Sequence, residues 1–600
     1  MESPLRPLLP ADPAGLLIWS GLFGSARGLA IAQAVEQHRG PTLFIGRGAQ
    51  FLQQLEDEIR FYRAEQPLPV LPFPDLESLP YDAVSPHPDI VSQRLAALAA
   101  LPNLKRGLLL TTAAAVMHRI CPREYVAAHS FQLQSGERLD LAALRAQLAQ
   151  AAYRNVSQVM EPGEFAIRGG LIDIFPMGAS KPFRVDLLDE TIETIREFDI
   201  ATQRSGATLD AIRLLPAREF PLTETAIQRF RQAFRARFEG DPQRSPIYRD
   251  VSQGLCPAGI EYYLPLFFDS TATLFDYLPH NTLCIVDDGV AEAVNVFERE
   301  IAERHRDRRL RQERPSLAPN ELFLSAYEFH SLLPRFTRIE IQELSVSDQG
   351  NSSQHQDTVR YDAPPPPALP FERHSHTPHH LLFEHLASFP GRVLLVAETA
   401  GRRETLSGLL AEHKLRPELV ANWSAFLTGS SRLGLTVANL EKGLLLRDPA
   451  LSVVTEPQLY GERAAQRRRR LRSAPPPEAI IRNLADLRPG DAVVHEDHGV
   501  GRFLGLQALD VGDGLTEFLA LEYADGDKLY LPVLSLHLIS RYTGTDPEHV
   551  PLHKLGADAW DKAKRRALEK AHDAAVELLE VQALRTARQG HAFAKRNDCY

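Results

Sequence analysis

Six hundred residues, 44% hydrophobic and 24% charged, are too many for one hydrophobic core and too apolar for a disordered chain, so several globular domains are implied. Lys plus Arg number 67 against 77 Asp plus Glu, a formal charge of -10, which argues against a wide phosphate-gripping face and favours protein partners. The four cysteines, Cys121, Cys256, Cys284 and Cys599, make no CxxC pair and read as reduced packing residues. No apolar run approaches the roughly 20 residues that span a bilayer, and the start lacks a basic segment followed by an apolar core, so no membrane is expected and the cytoplasm is the expected location.

Over residues 1–122, short apolar runs (16–19, 42–45, 68–71, 107–111) alternate with helical stretches (50–62, 89–101), the rhythm of βαβ units on a parallel sheet. Residues 123–214 change to strands joined by turns, an α+β insert, and the α/β pattern resumes over 215–345. Residues 346–370, with Pro364 to Pro367, have linker composition, and 371–460 read as a second, small α/β domain. Arg467 to Arg470 and Pro475 to Pro477 mark 461–479 as a basic, proline-rich linker, either simply solvated or in contact with nucleic acid or an acidic protein. Short β-branched strands with Asp513-Gly514 and Asp525-Gly526 hairpin signals give a small β-barrel over 480–548. Apolar residues at helical spacing between Asp558 and Gln589 make 549–600 mainly one long helix. Its end shows neither a Pro/Gly boundary nor a helix stop, so the natural chain is expected to continue past Tyr600.

A phosphate loop should lie between the first apolar run and the first helix, where Gly21-Leu22-Phe23-Gly24-Ser25-Ala26-Arg27-Gly28 stands. A working loop needs glycines whose N–H groups cradle phosphates, a Lys for the β and γ phosphates, and a Ser/Thr hydroxyl for magnesium. Ala26, Arg27 and Gly28 occupy the Gly-Lys-Ser/Thr places, and no acidic pair ends the run at 108–111, where a Walker B carboxylate is expected. This loop is therefore expected to be degenerate, with no catalytic residue, no cofactor and no metal in this chain. His495-Glu496-Asp497-His498 has its histidines three apart in a β context, unlike the i, i+4 pair of a zinc helix. His374, His376, His379 and His380 read as a surface cluster able to bind metal adventitiously, and there is no G-x-S-x-G elbow with a triad.

Residues 164–176 (EFAIRGGLIDIFP), followed by 183–190 (FRVDLLDE), closely resemble the UvrA-binding domain shared by the UvrB and Mfd families. Phe165, Ile167, Leu171 and Ile174 would pack the domain, while Gly169 and Gly170 permit a bulge or close backbone approach. Arg168 and Arg184 would be guanidiniums open to partner carboxylates, unless each pairs with an Asp inside the domain. The resemblance places positions matching Arg168, Arg184 and Leu188 on the UvrA-contacting face. The broken loop and the short segment at residues 79–90 resemble Mfd rather than UvrB. Residues 489–503 (PGDAVVHEDHGVGRF) and 528–532 (KLYLP) resemble the RNA polymerase interacting domain of Mfd, also found in CarD-type regulators.

The resemblance to the N-terminal part of the Mfd family of transcription-repair coupling factors implies degenerate RecA/UvrB-like sheets, an SH3/Tudor-like barrel and a connector helix towards a translocase motor. It implies two partners: UvrA, and the RNA polymerase β subunit, met through His495, Glu496, His498, Gly499, Arg502 and Tyr530. Double-stranded DNA, ATP and Mg would belong mainly to the motor, and a monomer is expected. Two other readings stay open: a UvrB-like helicase or translocase acting through the first α/β domain, and a CarD-like transcription regulator.

Overall fold

The computed structural model describes residues 2–541 apart from 13, 64–67, 201–203, 309–312, 343–357, 372–378, 461–489, 496–497, 511–514 and 533–538; past 541 it describes only 552 and 554. The chain divides into two compact units, Met1–Arg463 and Ala464–Tyr600.

The first unit opens with strands β1 (Leu16–Leu22), β2 (Pro41–Gly46), β3 (Val70–Phe73) and β4 (Gly107–Thr112), alternating with helices α1 (Ala26–Gln37), α2 (Ala49–Tyr62) and α3 (Pro88–Ala100). Every residue of β2 and β4 is buried, as in a parallel sheet covered on both faces. Helix α3 starts cleanly because Pro88 supplies the helical φ and the His87 ring accepts from the Asp89 N–H.

The insert contributes β5 (Phe131–Gln134), α4 (Leu141–Gln150), β6 (Arg154–Asn155), β7 (Glu164–Arg168), β8 (Leu171–Phe175), β9 (Phe183–Leu188), β10 (Thr191–Phe198), β11 (Ser205–Leu209) and β12 (Ala211–Leu214). Strands β6 to β11 form one six-stranded sheet in sequence order, and β5 and β12 pair as a separate ribbon. Phe165, Ile172, Ile174 and Val185 face inward and merge with Leu144 and Leu148 of α4 and Leu95 and Leu98 of α3 into one core. Ile192 and Ile195 both join it because a register shift between Ile192 and Thr194 breaks the alternation of β10.

Strands β13 (Leu283–Val286), β14 (Thr337–Gln342) and β15 (Thr358–Ala363) complete the first sheet, giving seven parallel strands in the order β15-β1-β14-β13-β2-β4-β3. The linker expected over 346–370 is thus corrected: residues 358–363 are an edge strand. Val359, Tyr361 and Ala363 alternate inward, and the Tyr361 ring meets Trp19 edge-on at 5.5 Å. Residues 346–357 of that expected linker lie outside the described residues.

A second, five-stranded sheet combines β16 (Arg392–Ala397), β17 (Glu418–Leu419), β18 (Leu433–Val437), β19 (Leu444–Leu446) and β20 (Leu451–Thr455) in the order β17-β18-β16-β20-β19. One face packs Val393 and Leu395 against Leu406 and Leu410. The other sends Leu394 and Val396, together with Trp423 and Phe426 of the helix Trp423–Thr428, into the same core as α1 and α2, with Trp423 meeting Tyr62 edge-on at 5.2 Å. This small domain therefore shares a core with the first sheet, and its 440–443 loop reaches the end of β1.

The second unit is an antiparallel sheet of β21 (Ala492–His495), β22 (Gly499–Asp510), β23 (Leu515–Glu522), β24 (Lys528–Pro532) and β25 (Ile539–Arg541), ordered β24-β23-β22-β21-β25. Val493, Phe503, Leu519, Leu521, Tyr523 and Ile539 form its core. Strands β24 and β25 each have one neighbour, so among the described residues the sheet is open where a closed barrel was expected. The basic linker over 461–479 and, apart from residues 552 and 554, the expected helix over 549–600 lie outside the described residues.

Candidate functional site

The loop at 21–28 has the backbone course of a phosphate loop, a strand turning into a helix N-terminus, where unpaired N–H groups and the helix dipole favour an anion. Protein groups occupy that cradle at Ser25, Gly28 and the Arg27 side chain. The Ser25 N–H donates to the Gly443 carbonyl at 2.9 Å, and the Ser25 hydroxyl lies 3.0 Å from that oxygen and 2.7 Å from the Tyr62 hydroxyl. Gly24 has φ +59°, and a Cβ there would sit 2.3 Å from the Gly443 oxygen, so glycine is what lets the 440–443 loop seat.

The anion place itself holds a carboxylate. Glu58, from α2, accepts from the Gly28 N–H in the first turn of α1, and a Cβ on Gly28 would lie 2.4 Å from Glu58 Oε2. Burial pushes this carboxyl up to about 8, against the pull of Lys442 and Arg27. Arg27, in the position of the catalytic lysine, turns to Asp287, with Nη1 to Oδ1 at 2.7 Å and both side chains buried. Burial also raises the Asp287 carboxyl, to about 6, the nearby guanidiniums of Arg27 and Arg47 opposing it.

Asp287 and Asp288 follow β13, which is separated from β1 only by β14, so their carboxylates stand at the same end of the sheet as the loop. This corrects the sequence expectation: the acidic pair exists, after β13 rather than after residues 108–111. Its signal was present as four apolar residues and two aspartates, Leu283-Cys284-Ile285-Val286-Asp287-Asp288. Glu58 was also missed, although it falls at helical spacing among buried Leu55, Ile59 and Tyr62, where a charge needs an explanation.

On the insert, Arg168, Arg184 and Leu188 share the outer face of the sheet, opposite Phe165, Val185 and Leu187. The sequence expectation for Arg184 as an open guanidinium is corrected. Its Nε and Nη2 bond both oxygens of buried Asp173, at 2.7 and 3.0 Å, and its Cζ lies 5.0 Å from the Phe198 ring centre. Thr194 donates to the neighbouring Asp186 at 2.8 Å. Arg168 stays exposed and donates to the Ser157 carbonyl, and Leu188 is 64% exposed at the adjacent hairpin, on the same end of the sheet as the 169–170 turn. Gly169 and Gly170 make the turn between β7 and β8, Gly169 with φ +61° and Gly170 close to the Leu187 carbonyl.

In the second unit His495 is buried with its ring 4.7 Å from that of His498, while Glu496 lies outside the described residues. Gly499 turns the hairpin with φ +77°, and Arg502 donates to the Gly490 carbonyl at 2.9 Å. Tyr530 is partly exposed on the edge strand β24.

Residues 131–220 match the UvrB interaction domain family, 385–459 the MFD D3 domain, and 487–543 the CarD-like/TRCF RID domain. Proteins called transcription-repair-coupling factor from Haemophilus influenzae and Escherichia coli are each 39% identical to the chain, over 98% and 100% of it. One from Myxococcus xanthus is 31% identical over 96%. Along its whole length the chain resembles the N-terminal part of the transcription-repair-coupling factors. It spans about half the length of these relatives, 50%, 51% and 49% respectively. In coupling-factor terms the UvrB interaction match covers the sheet carrying Arg168, Arg184 and Leu188, the D3 match covers Gly443, which seats on the phosphate loop, and the RID match covers the open antiparallel sheet. Among the described residues no group of three or more His, Cys, Asp or Glu is placed to hold a metal, and no helix is long and apolar enough to cross a membrane.

Proposed function

We propose that this chain is a coupling adaptor in transcription-coupled DNA repair, docking UvrA on the outer face of the insert sheet and the RNA polymerase β subunit on the second unit. The observation that carries this reading is the presence of a UvrB interaction domain and an RNA polymerase interacting (RID) domain on one chain that resembles coupling factors along its length. Arg168 and Leu188 are the exposed members of the UvrA face, and Arg184 holds Asp173 in place beneath it. On the second unit, β24 with Tyr530 is an edge strand among the described residues, and its outer side is where a partner strand can add.

Within this reading the first sheet is a scaffold. Its phosphate cradle is filled by Glu58, Gly443 and the Arg27–Asp287 pair, so bound nucleotide would have to displace three internal contacts at once. ATP and magnesium, double-stranded DNA and the translocation that displaces polymerase are assigned to the half of the relatives that this chain does not match. The working form is a cytoplasmic monomer.

The test is a pull-down of purified UvrA with the chain as it stands. Binding is expected, and Arg168→Glu should abolish it while the melting temperature is held; binding by Arg168→Glu equal to that of the unsubstituted chain would overturn the assignment of this face. A DNA-stimulated ATPase assay on the same preparation separates the adaptor from a helicase acting through the first sheet, since the adaptor gives background turnover only. A CarD-like regulator would retain polymerase but not UvrA.

A further inference from the structure

The first unit contains a cavity of about 450 Å³ that none of the docking faces uses. Its walls are the 85–94 stretch at the start of α3, the insert at 152–163, the 217–220 segment just after the insert and the aromatic segment at 256–264, with residues 118–119 and 322–323 completing it. Its size is that of a site for a small organic molecule. The body of the cavity is apolar, built by Leu76, Val91, Phe220, Leu264, Leu322 and Phe323.

Four arginines and three glutamates line it, an excess of one positive charge. Three of the arginines are committed. Arg94 bonds Glu219 through Nε at 2.5 Å and the Pro74 carbonyl through Nη1 at 3.0 Å. Arg119 bonds Glu328 and the Asn320 carbonyl, and Arg154 bonds Glu161 and Glu164. Arg218 differs: among the described residues its guanidinium has no hydrogen-bonding or ion-pair partner, and its Cζ lies 6.0 Å from the Phe220 ring centre. The charge of Arg218 is felt by the Glu261 carboxyl, but a half-buried guanidinium with no hydrogen-bonding partner among the described residues is costly, and an anion entering the cavity would relieve that cost.

We propose that this cavity binds a small organic monoanion with an aromatic or apolar body, its acid group paired with Arg218 and its body held between Val91, Phe220 and Leu264. Glu261, also lining the cavity, accepts from the Ser85 hydroxyl at 2.9 Å. Burial raises the Glu261 carboxyl to about 7, which limits repulsion of a bound anion. His118 is held neutral by burial and adds no competing cation. Because the walls come from the insert and from both flanking regions, an occupant ties the insert sheet to the first sheet.

The probe is 8-anilinonaphthalene-1-sulfonate, an aromatic monoanion, titrated by fluorescence into the whole chain, with uncharged N-phenyl-1-naphthylamine as the control. One equivalent of the sulfonate should bind. Arg218→Gln should weaken it about tenfold or more, the loss of one charge-assisted hydrogen bond, and leave the uncharged probe unchanged. Arg218→Lys should keep most of the affinity, and Val91→Phe, which fills the apolar wall, should weaken both probes, so the outcome does not hang on one variant folding. Sulfonate binding that is unchanged in both Arg218→Gln and Val91→Phe, or that neither probe shows at all, overturns the proposal. UvrA binding is untouched by either result.

Discussion

The loop at 21–28 and the outer face of the insert sheet are built from similar parts, glycine turns beside arginines, yet they end in opposite states. At the loop, Arg27 is buried on Asp287 and the helix N-terminus is satisfied by Glu58 and its surroundings. On the insert, Arg184 is likewise tied to Asp173, but Arg168 and Leu188 project beyond it into solvent. A buried charge whose partner is internal contributes to holding the fold, whereas an exposed one whose removal leaves no orphan is free to meet another protein. The two arginines of the insert thus have different jobs although they share one face.

The largest expected effect that would break this contrast is at the cradle. Arg27→Ala leaves Asp287 buried without its partner and should cost about 3–5 kcal/mol in urea unfolding, while Arg27→Ala with Asp287→Asn should recover part of it. If the single substitution changed stability by less than 1 kcal/mol on the order of surface variants, the pair would not hold the loop closed. Next is the pH dependence set by Glu58. The unfolded chain ionises this carboxyl near its ordinary value of 4.5, whereas the folded chain holds the proton to about 8. Its contribution is therefore fully present below pH 4.5 and is lost as pH rises to 8, at up to about 1.4 kcal/mol per pH unit. Glu58→Gln should flatten that decline, followed by chemical denaturation at pH 5, 6.5 and 8.

Arg184→Ala should cost roughly 1.5–3 kcal/mol, because Asp173 loses both bonds, and any loss of UvrA binding should track the loss of folding. Smallest in stability is Arg168→Glu, expected within about 0.5 kcal/mol of the unsubstituted chain although it removes UvrA binding. A destabilisation by Arg168→Glu as large as that of Arg184→Ala would erase the distinction between the two arginines.

Much of this was legible in the sequence where a local pattern carried it. The buried runs at 41–46 and 107–112 gave parallel strands, and the alternation of Phe165, Ile167 and Ile174 gave the inward face of the insert, whereas Leu171, also expected to pack it, pairs with Arg168 and Asp186 on the outer face. What was not legible depended on contacts far apart in the chain. Thr358–Ala363 alternates like a strand, but the prolines that follow disguise it, and only pairing with residues some 340 positions earlier makes it one. Arg184 could not be told from Arg168 by residue type, since its commitment depends on the register that sets it opposite Asp173. The filling of the cradle needed three distant segments, 58, 287 and 443, to converge on one helix end.

The central claim is that one chain joins two machines, and co-retention tests it most directly. RNA polymerase fixed on beads, loaded with this chain and washed, should retain added UvrA, and Arg168→Glu should remove UvrA from the beads while the chain itself stays bound. UvrA left in the flow-through when the unsubstituted chain is bound to polymerase would contradict the account.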